Sequence, residues 1–338
     1  MPTAQHHEQP LWSVILTGDD HHTISPALHT QWLNNKKPTP YCTFVGTRSM
    51  LQHTWDRADQ LSHPNSKITV VGKSHLHEAC TQLGGRVPGI IITEPRHQGM
   101  VVSLFLALTY LQVKAPQSMV VAYPADHFVY PEDLFLQTVQ RTIWATEDCA
   151  DHIFILEAAG TNYQPSGCSV TLDQQLGWVH GTPIYGVQPP HYDLLDEEEH
   201  PLAQVHYLSN TSVLIAKSDV FWNLGWQYHP HMMEIFDELQ DAIGTSYERT
   251  VLDKTFHSLK FWDTSLLALL QLTPNLAIVE LEHIRWSHWG DPRHILEDVT
   301  GIGKKPTFPV EYEKIYKEES FTNNPSPTGG LTTSQKGV

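Results

Sequence analysis

Met119-Val120-Val121-Ala122-Tyr123 runs directly into Pro124-Ala125-Asp126-His127, and the fold class follows from that join. The apolar run has the length and residue types of a strand. It delivers an aspartate at its carboxyl end, the edge of an open α/β sheet where ligands are held. Working outward, Trp12-Ser13-Val14-Ile15-Leu16 reads as a buried first strand closed by the polar turn Thr17-Gly18-Asp19-Asp20. The segment from Met50 to Leu61 has apolar residues at helical spacing, and Lys67-Ile68-Thr69-Val70-Val71 follows as a second strand. Ile90-Ile91-Ile92-Thr93 is a third strand, Val101 to Leu111 a helix, and Pro131 to Trp144 a helix opened by proline. Strands alternating with helices predict an α/β fold on a mixed, mostly parallel sheet. Ile153 to Glu157, Ser212 to Ala216 and Leu276 to Glu280 continue the strand series. Between the first two of these the pattern loosens into a Gly/Pro/His-rich stretch holding the acidic run Asp196-Glu197-Glu198-Glu199, read as a solvated loop. The expected organisation is a short flexible start over 1–10, one domain over 11–303, and a polar, disordered tail over 304–338.

The chain has 338 residues, with 37 acidic against 21 basic ones and a formal net charge of −16, a balance that opposes binding of nucleic acid. Its four cysteines, Cys42, Cys80, Cys149 and Cys168, stand far apart with no CxxC pair, so neither a zinc site nor a disulfide framework is indicated. Reduced thiols fit a cytoplasmic location. No apolar run reaches the ~20 residues of a membrane span, and the first residues lack the basic and apolar regions of a signal peptide.

Three segments in collinear order carry a resemblance. They are Tyr41-Cys42-Thr43-Phe44-Val45-Gly46-Thr47-Arg48-Ser49-Met50-Leu51-Gln52-His53-Thr54, Pro124-Ala125-Asp126-His127, and Trp286-Ser287-His288-Trp289-Gly290-Asp291-Pro292. From Trp12 to Ile302 the order is similar to that of the sugar-1-phosphate nucleotidyltransferases, above all the mannose-1-phosphate guanylyltransferases. The resemblance implies a Rossmann-like, glycosyltransferase-A-like domain whose early, parallel half takes the nucleotide and whose later half takes the sugar. Such enzymes join a nucleoside triphosphate to a sugar phosphate by attack on the α-phosphorus, releasing pyrophosphate. Catalysis of that kind rests on positioning and on cations that neutralise crowded phosphates.

Measured against the resemblance, the charges are missing. The family's Gly-Gly-x-Gly-Thr-Arg-Leu turn corresponds to Gly18-Asp19-Asp20-His21-His22-Thr23-Ile24, where only Gly18 survives and Thr23 replaces the arginine. Side chains at glycine positions block close backbone approach, and aspartates repel an anion. The catalytic lysine corresponds to Thr39 in Pro38-Thr39-Pro40. Lys37, two residues earlier, shares a face with Thr39 if the segment is extended, and so stands as a substitute. Glu94-Pro95-Arg96-His97-Gln98-Gly99-Met100 resembles the base-recognising segment, with Glu94, Pro95 and Gly99 kept and His97 and Gln98 replacing an asparagine and an arginine. Gly177, Trp178 and Asn210 correspond to positions lining the sugar. Of the metal pair, Asp126 is kept and His288 replaces the second aspartate, which suits magnesium poorly and a transition metal such as manganese better.

Losing one positioned electrostatic stabiliser typically costs about 10²–10³ in rate, and four such changes remove roughly 10⁵ even when discounted for non-additivity. The expectation is therefore a homologue that has lost most or all catalysis and binds a nucleotide (GTP or GDP-mannose), mannose 1-phosphate, an active paralogue, or another copy of itself. Two alternatives are an active nucleotidyltransferase with a rearranged site built on Lys37, Asp126 and His288, and an oligomerisation module using an exposed aromatic segment from Trp222 to Tyr228.

Overall fold

A computed structural model describes residues 10–18, 37–159, 168–179, 182–194, 208–259, 266–271, 273, 275–289 and 292–307. Nine strands form one sheet: β1 Leu11–Leu16, β2 Lys67–Gly72, β3 Ile90–Glu94, β4 Met119–Pro124, β6 Ile153–Ala159, β7 Cys168–Val179, β8 Thr182–Leu194, β9 Leu208–Lys217 and β10 Leu276–Leu281. Their order is β3-β2-β1-β4-β9-β6-β10-β8-β7. β3, β2, β1 and β4 are mutually parallel, and β9 enters antiparallel to both β4 and β6. β10 is parallel to β6, and β8 and β7 follow in antiparallel steps. Seven of the nine strands thus point one way, with β8 and β9 reversed. The mixed, mostly parallel α/β sheet expected from the sequence is present.

Side chains alternate across each strand and so feed two cores. Val14, Leu16, Val120 and Ala122 face one layer, formed by helices α3 Met100–Lys114, α5 Ser218–Tyr228, α6 Pro230–Ala242 and α7 Glu248–Ser258. Ile15, Val121 and Tyr123 face the other, with Leu51 and Trp55 of α1 Met50–Leu61 and Phe135 and Val139 of α4 Glu132–Asp148. α3 lies inside: every residue from Val101 to Leu111 is buried, as an all-round apolar helix requires. Each large apolar side chain there contributes about 1.5–3 kcal/mol of burial. α1 starts where Ser49 and Gln52 cap each other, Ser49 Oγ accepting from Gln52 N at 3.1 Å and Gln52 Oε1 from Ser49 N at 3.0 Å. The remaining described helices are α2 Leu76–Leu83, α8 Leu266–Gln271 and α9 Pro292–Gly301.

Two short strands, β5 His127–Tyr130 and β11 Arg285–His288, make a separate antiparallel ribbon that pairs His127 with His288 and Val129 with Trp286. Phe128 stacks on Trp289 at 4.6 Å, and Trp289 Nε1 donates to Asp298 of α9 at 2.9 Å. Residues 304–307 continue along this body: Pro306 bridges to Val45, and Thr307 N donates to Phe44 O at 2.9 Å.

Two sequence readings need correction. The loosened stretch after β6 contains the two longest strands, β7 and β8. Their pairing shifts register at several points, so no clean two-residue alternation exists to be read, and β8 is held by β10 from far along the chain. The segment Trp222 to Tyr228 is also not an exposed aromatic face. Leu224 and Gly225 are buried, Trp222 and Tyr228 pack partly against the core, and of its three aromatic residues only Trp226 is exposed. The acidic run at 196–199 and residues 308–338 lie outside the described residues.

Candidate functional site

The carboxyl ends of the parallel strands share one edge of the sheet. Leu16 of β1 is level with Pro124 of β4 and with Val70 of β2, and Gly72 of β2 is level with Glu94 of β3. Gly18, Glu94 and Asp126 therefore lie along that edge. On the far half, Val279 is level with Ile184, which pairs with Gly177, while Glu157 pairs with Asn210. The sheet thus gathers Gly18, Glu94, Pro95, Asp126, Asn210, Gly177 and Trp178 on one side of the molecule. Asp19, His21 and Thr23 fall outside the described residues.

Asp126 is the electrostatic centre. His288 Nε2 lies 2.8 Å from Asp126 Oδ2, and His127 Nε2 lies 3.5 Å from Oδ1. The ribbon makes this arrangement, because the β5–β11 pairing sets His288 opposite His127, next to the aspartate in sequence. Burial acts to raise the Asp126 pKa, but the adjacent His288, by charge and hydrogen bond, holds the carboxyl well below the usual range. Burial pushes the His127 imidazole the other way, down to about 4, so this ring is neutral at pH 7. Among the described residues, no group of three or more His, Cys, Asp or Glu side chains is placed to hold a metal ion.

The lysine position is closed. Thr39 opens a 3-10 turn, Thr39–Tyr41, and is 1 % exposed, with its hydroxyl buried and unpartnered. The turn removes the extended geometry that would have put Lys37 on the same face. Lys37 Nζ instead pairs with Glu78 Oε1 of α2 at 2.7 Å, so its charge is already committed. Tyr41 OH reaches Thr17 Oγ1 at 3.4 Å, fastening this turn to the end of β1.

At the end of β3, Glu94 is buried; Oε2 meets His97 Nδ1 at 3.2 Å while Oε1 meets no hydrogen-bond partner. Gln98 Nε2 donates to Phe256 O at 3.1 Å and leaves its own Oε1 unsatisfied. Gly99 takes φ +94° immediately before α3, a conformation that disfavours other residues. On the far half, Trp178 is 66 % exposed on edge strand β7.

Three residues at or beside the site went unassigned in the sequence. Glu157 is fully buried at a register shift at the end of β6, and the signal was a charge ending an otherwise apolar strand. His127 was visible in the Pro-Ala-Asp-His quartet. Arg57, 3 % exposed, donates to Glu132 at 3.2 Å, Thr54 at 2.9 Å and the His127 carbonyl at 3.4 Å, bracing the ribbon from α1. Nothing in helical periodicity marks it as buried.

The architecture matches a protein described as a mannose-1-phosphate geranyltransferase from Thermus thermophilus, with TM-score 0.67 and 15% identity over 86% of this chain and 79% of that one. The fold is that of the sugar-phosphate nucleotidyltransferases. A mannose-6-phosphate isomerase from Helicobacter pylori is similar at TM-score 0.61 and 12% identity, over 82% of this chain and 99% of that one. An inositol-1-phosphate CTP transferase from T. maritima is similar at TM-score 0.52 and 11% identity, over 85% of this chain and 91% of that one. No protein-family model matches the chain, and no curated protein matches its sequence. In open α/β sheets ligands bind outside the carboxyl ends of the parallel strands, and Gly18, Glu94 and Asp126 stand at that edge here.

Proposed function

We propose that this chain is a mannose-1-phosphate guanylyltransferase-like protein that has lost most or all catalysis and acts by binding a nucleotide or sugar phosphate. The observation that carries the reading is the 2.8 Å contact between His288 Nε2 and Asp126 Oδ2. The imidazole lies against the carboxylate oxygen that a magnesium ion would need. Magnesium takes oxygen ligands in near-octahedral geometry, and one carboxylate flanked by two imidazoles does not fit it; manganese or another transition metal would suit such donors better. His288 supplies Asp126 with a partner that makes a metal unnecessary for its charge.

The buried Thr39 and the committed Lys37 support the same reading, since neither brings an ammonium to a triphosphate. The alternative, an active enzyme using Lys37, loses its main support to the Lys37–Glu78 pair. Binding is supported by the orphaned acceptors on Glu94 and Gln98, which a ligand edge rich in N–H donors, such as that of guanine, would satisfy.

The test is calorimetry of the full chain with GTP, GDP-mannose and mannose 1-phosphate, with and without magnesium or manganese, beside a pyrophosphate-release assay. The expected result is metal-independent binding of at least one ligand with no pyrophosphate above background. Brisk turnover of GTP and mannose 1-phosphate would refute the loss of catalysis, and absence of binding by all three would refute the binding role.

A further inference from the structure

A cavity lies on the flank of the β5–β11 ribbon, with His127 on its wall. It has a volume of about 780 Å³, well within the range of small-molecule sites. Its floor is apolar, made by Val45, Met50, Phe128, Val129 and Ile302, and by the fully buried Trp289. Around that floor stand Arg48, Arg57, Lys304 and Lys305 against two acidic residues, Glu132 and Asp133. The chain as a whole has the opposite balance, 21 basic against 37 acidic residues, so this is a local reversal of sign.

Not all of that charge is available. Arg57 is spent on Glu132, and Arg48 pairs with Asp56 outside the cavity. Lys304 and Lys305 are exposed, and among the described residues no ion pair is formed by either. They stand where the chain leaves α9, fixed by Lys304 N donating to Val299 O at 2.9 Å and by the Pro306–Val45 bridge that follows. An independent sign comes from His127, which lines the cavity, is 7 % exposed, and has a buried Nδ1 with no hydrogen-bond partner. A buried polar atom without a partner is costly in an empty apolar site and is satisfied by a ligand that donates to it or accepts from it.

We infer that this cavity is a binding site for a small amphipathic anion: an apolar or aromatic body seated on the apolar floor that Trp289 supports from beneath, with its anionic head group at Lys304 and Lys305. Gly18, Glu94, Asp126, Gly177 and His288 do not line it, and His127, whose Nε2 faces Asp126, is the residue the cavity shares with the strand-edge site.

The experiment uses the full chain and the fluorescent probe 8-anilinonaphthalene-1-sulfonate, compared with its uncharged relative N-phenyl-1-naphthylamine. Two variants address the cavity: Thr47→Trp, which fills the mouth from an exposed position, and the pair Lys304→Glu with Lys305→Glu. Lys73→Glu with Lys114→Glu, at exposed positions elsewhere, changes net charge equally. The expected result is one saturable sulfonate site, weakened about tenfold by the cavity lysine pair and by loss of the probe's charge. Thr47→Trp should abolish it, and the control pair should change it less than about twofold. Far-ultraviolet circular dichroism of all variants should match the native chain, since every substituted position is exposed. Native affinity in both cavity variants, or the absence of saturable binding to the native chain, would overturn the inference.

Discussion

Replacing His288 by aspartate puts a second carboxylate where the imidazole now faces Asp126, and the cost can be worked from the geometry. The native pair is 2.8 Å apart, with the aspartate side chain 14% and the histidine 34% exposed. Removing one partner of a fully buried pair costs about 3–5 kcal/mol, whereas an exposed pair is worth about 0–1. This half-sheltered pair should lie near 2 kcal/mol. Two carboxylates about 4 Å apart add repulsion of up to about 4 kcal/mol at an effective dielectric near 20, which protonation of one of them partly relieves. In EDTA at neutral pH the variant should therefore lose about 2–4 kcal/mol. Magnesium should now find an all-oxygen pair: at 10 mM, a site with a dissociation constant of about 1 mM regains about 1.4 kcal/mol. Thermal melts of both proteins in EDTA and in magnesium read this as a shift of a few degrees in the variant and none in the native chain. A native chain stabilised by magnesium, or a variant as stable as native in EDTA, would refute the idea that His288 has taken over the metal's place.

Gly225→Ala should destabilise by about 1–3 kcal/mol in urea unfolding, although alanine is the better helix former, because a Cβ there runs into the Phe105 ring and comes 2.5 Å from Met233 Sδ. Lys37→Ala should leave any GTP affinity within about twofold in calorimetry, since its ammonium is held by Glu78; a tenfold loss would return Lys37 to the site. Because the buried His127 has a folded pKa of about 4, below its unfolded value of about 6.5, the unfolded chain binds more protons between these values. Stability is then complete above about pH 6.5 and falls toward pH 4, by up to about 3 kcal/mol; His127→Gln should flatten that slope in urea titrations at stepped pH.

Much of the architecture was written in local pattern. The strands from β1 to β4 and the helices α1 and α3 sit where the apolar pattern places them, because each buries apolar residues against the sheet, whereas α2 carried no pattern that was read. β7 and β8 were hidden since their order depends on β10, and the antiparallel entry of β9 between β4 and β6 has no local signature. At the site, Asp126 and His288 were paired from the sequence and do meet, although they are 162 positions apart. The extended geometry expected for Lys37 is absent because a three-residue turn at Thr39 redirects the chain, and Glu78, on another helix, pairs with the ammonium. Arg57 and Glu157 escaped for a related reason. Burial of a charged side chain is decided by what packs over it, and that partner is remote in sequence.

The insertion of β9 between β4 and β6 sets a timetable for the nascent chain. β4 emerges with one flank covered by β1 and must wait roughly eighty residues, on the order of ten seconds of synthesis, before β9 can cover the other. β6 waits longer still for β10. During that interval the ribosome presents an apolar strand with an open hydrogen-bonding edge, the kind of surface that recruits holding chaperones or aggregates. Truncations ending between these strands should be insoluble, and the yield of the full-length protein should depend on how long the exposed edge is sheltered.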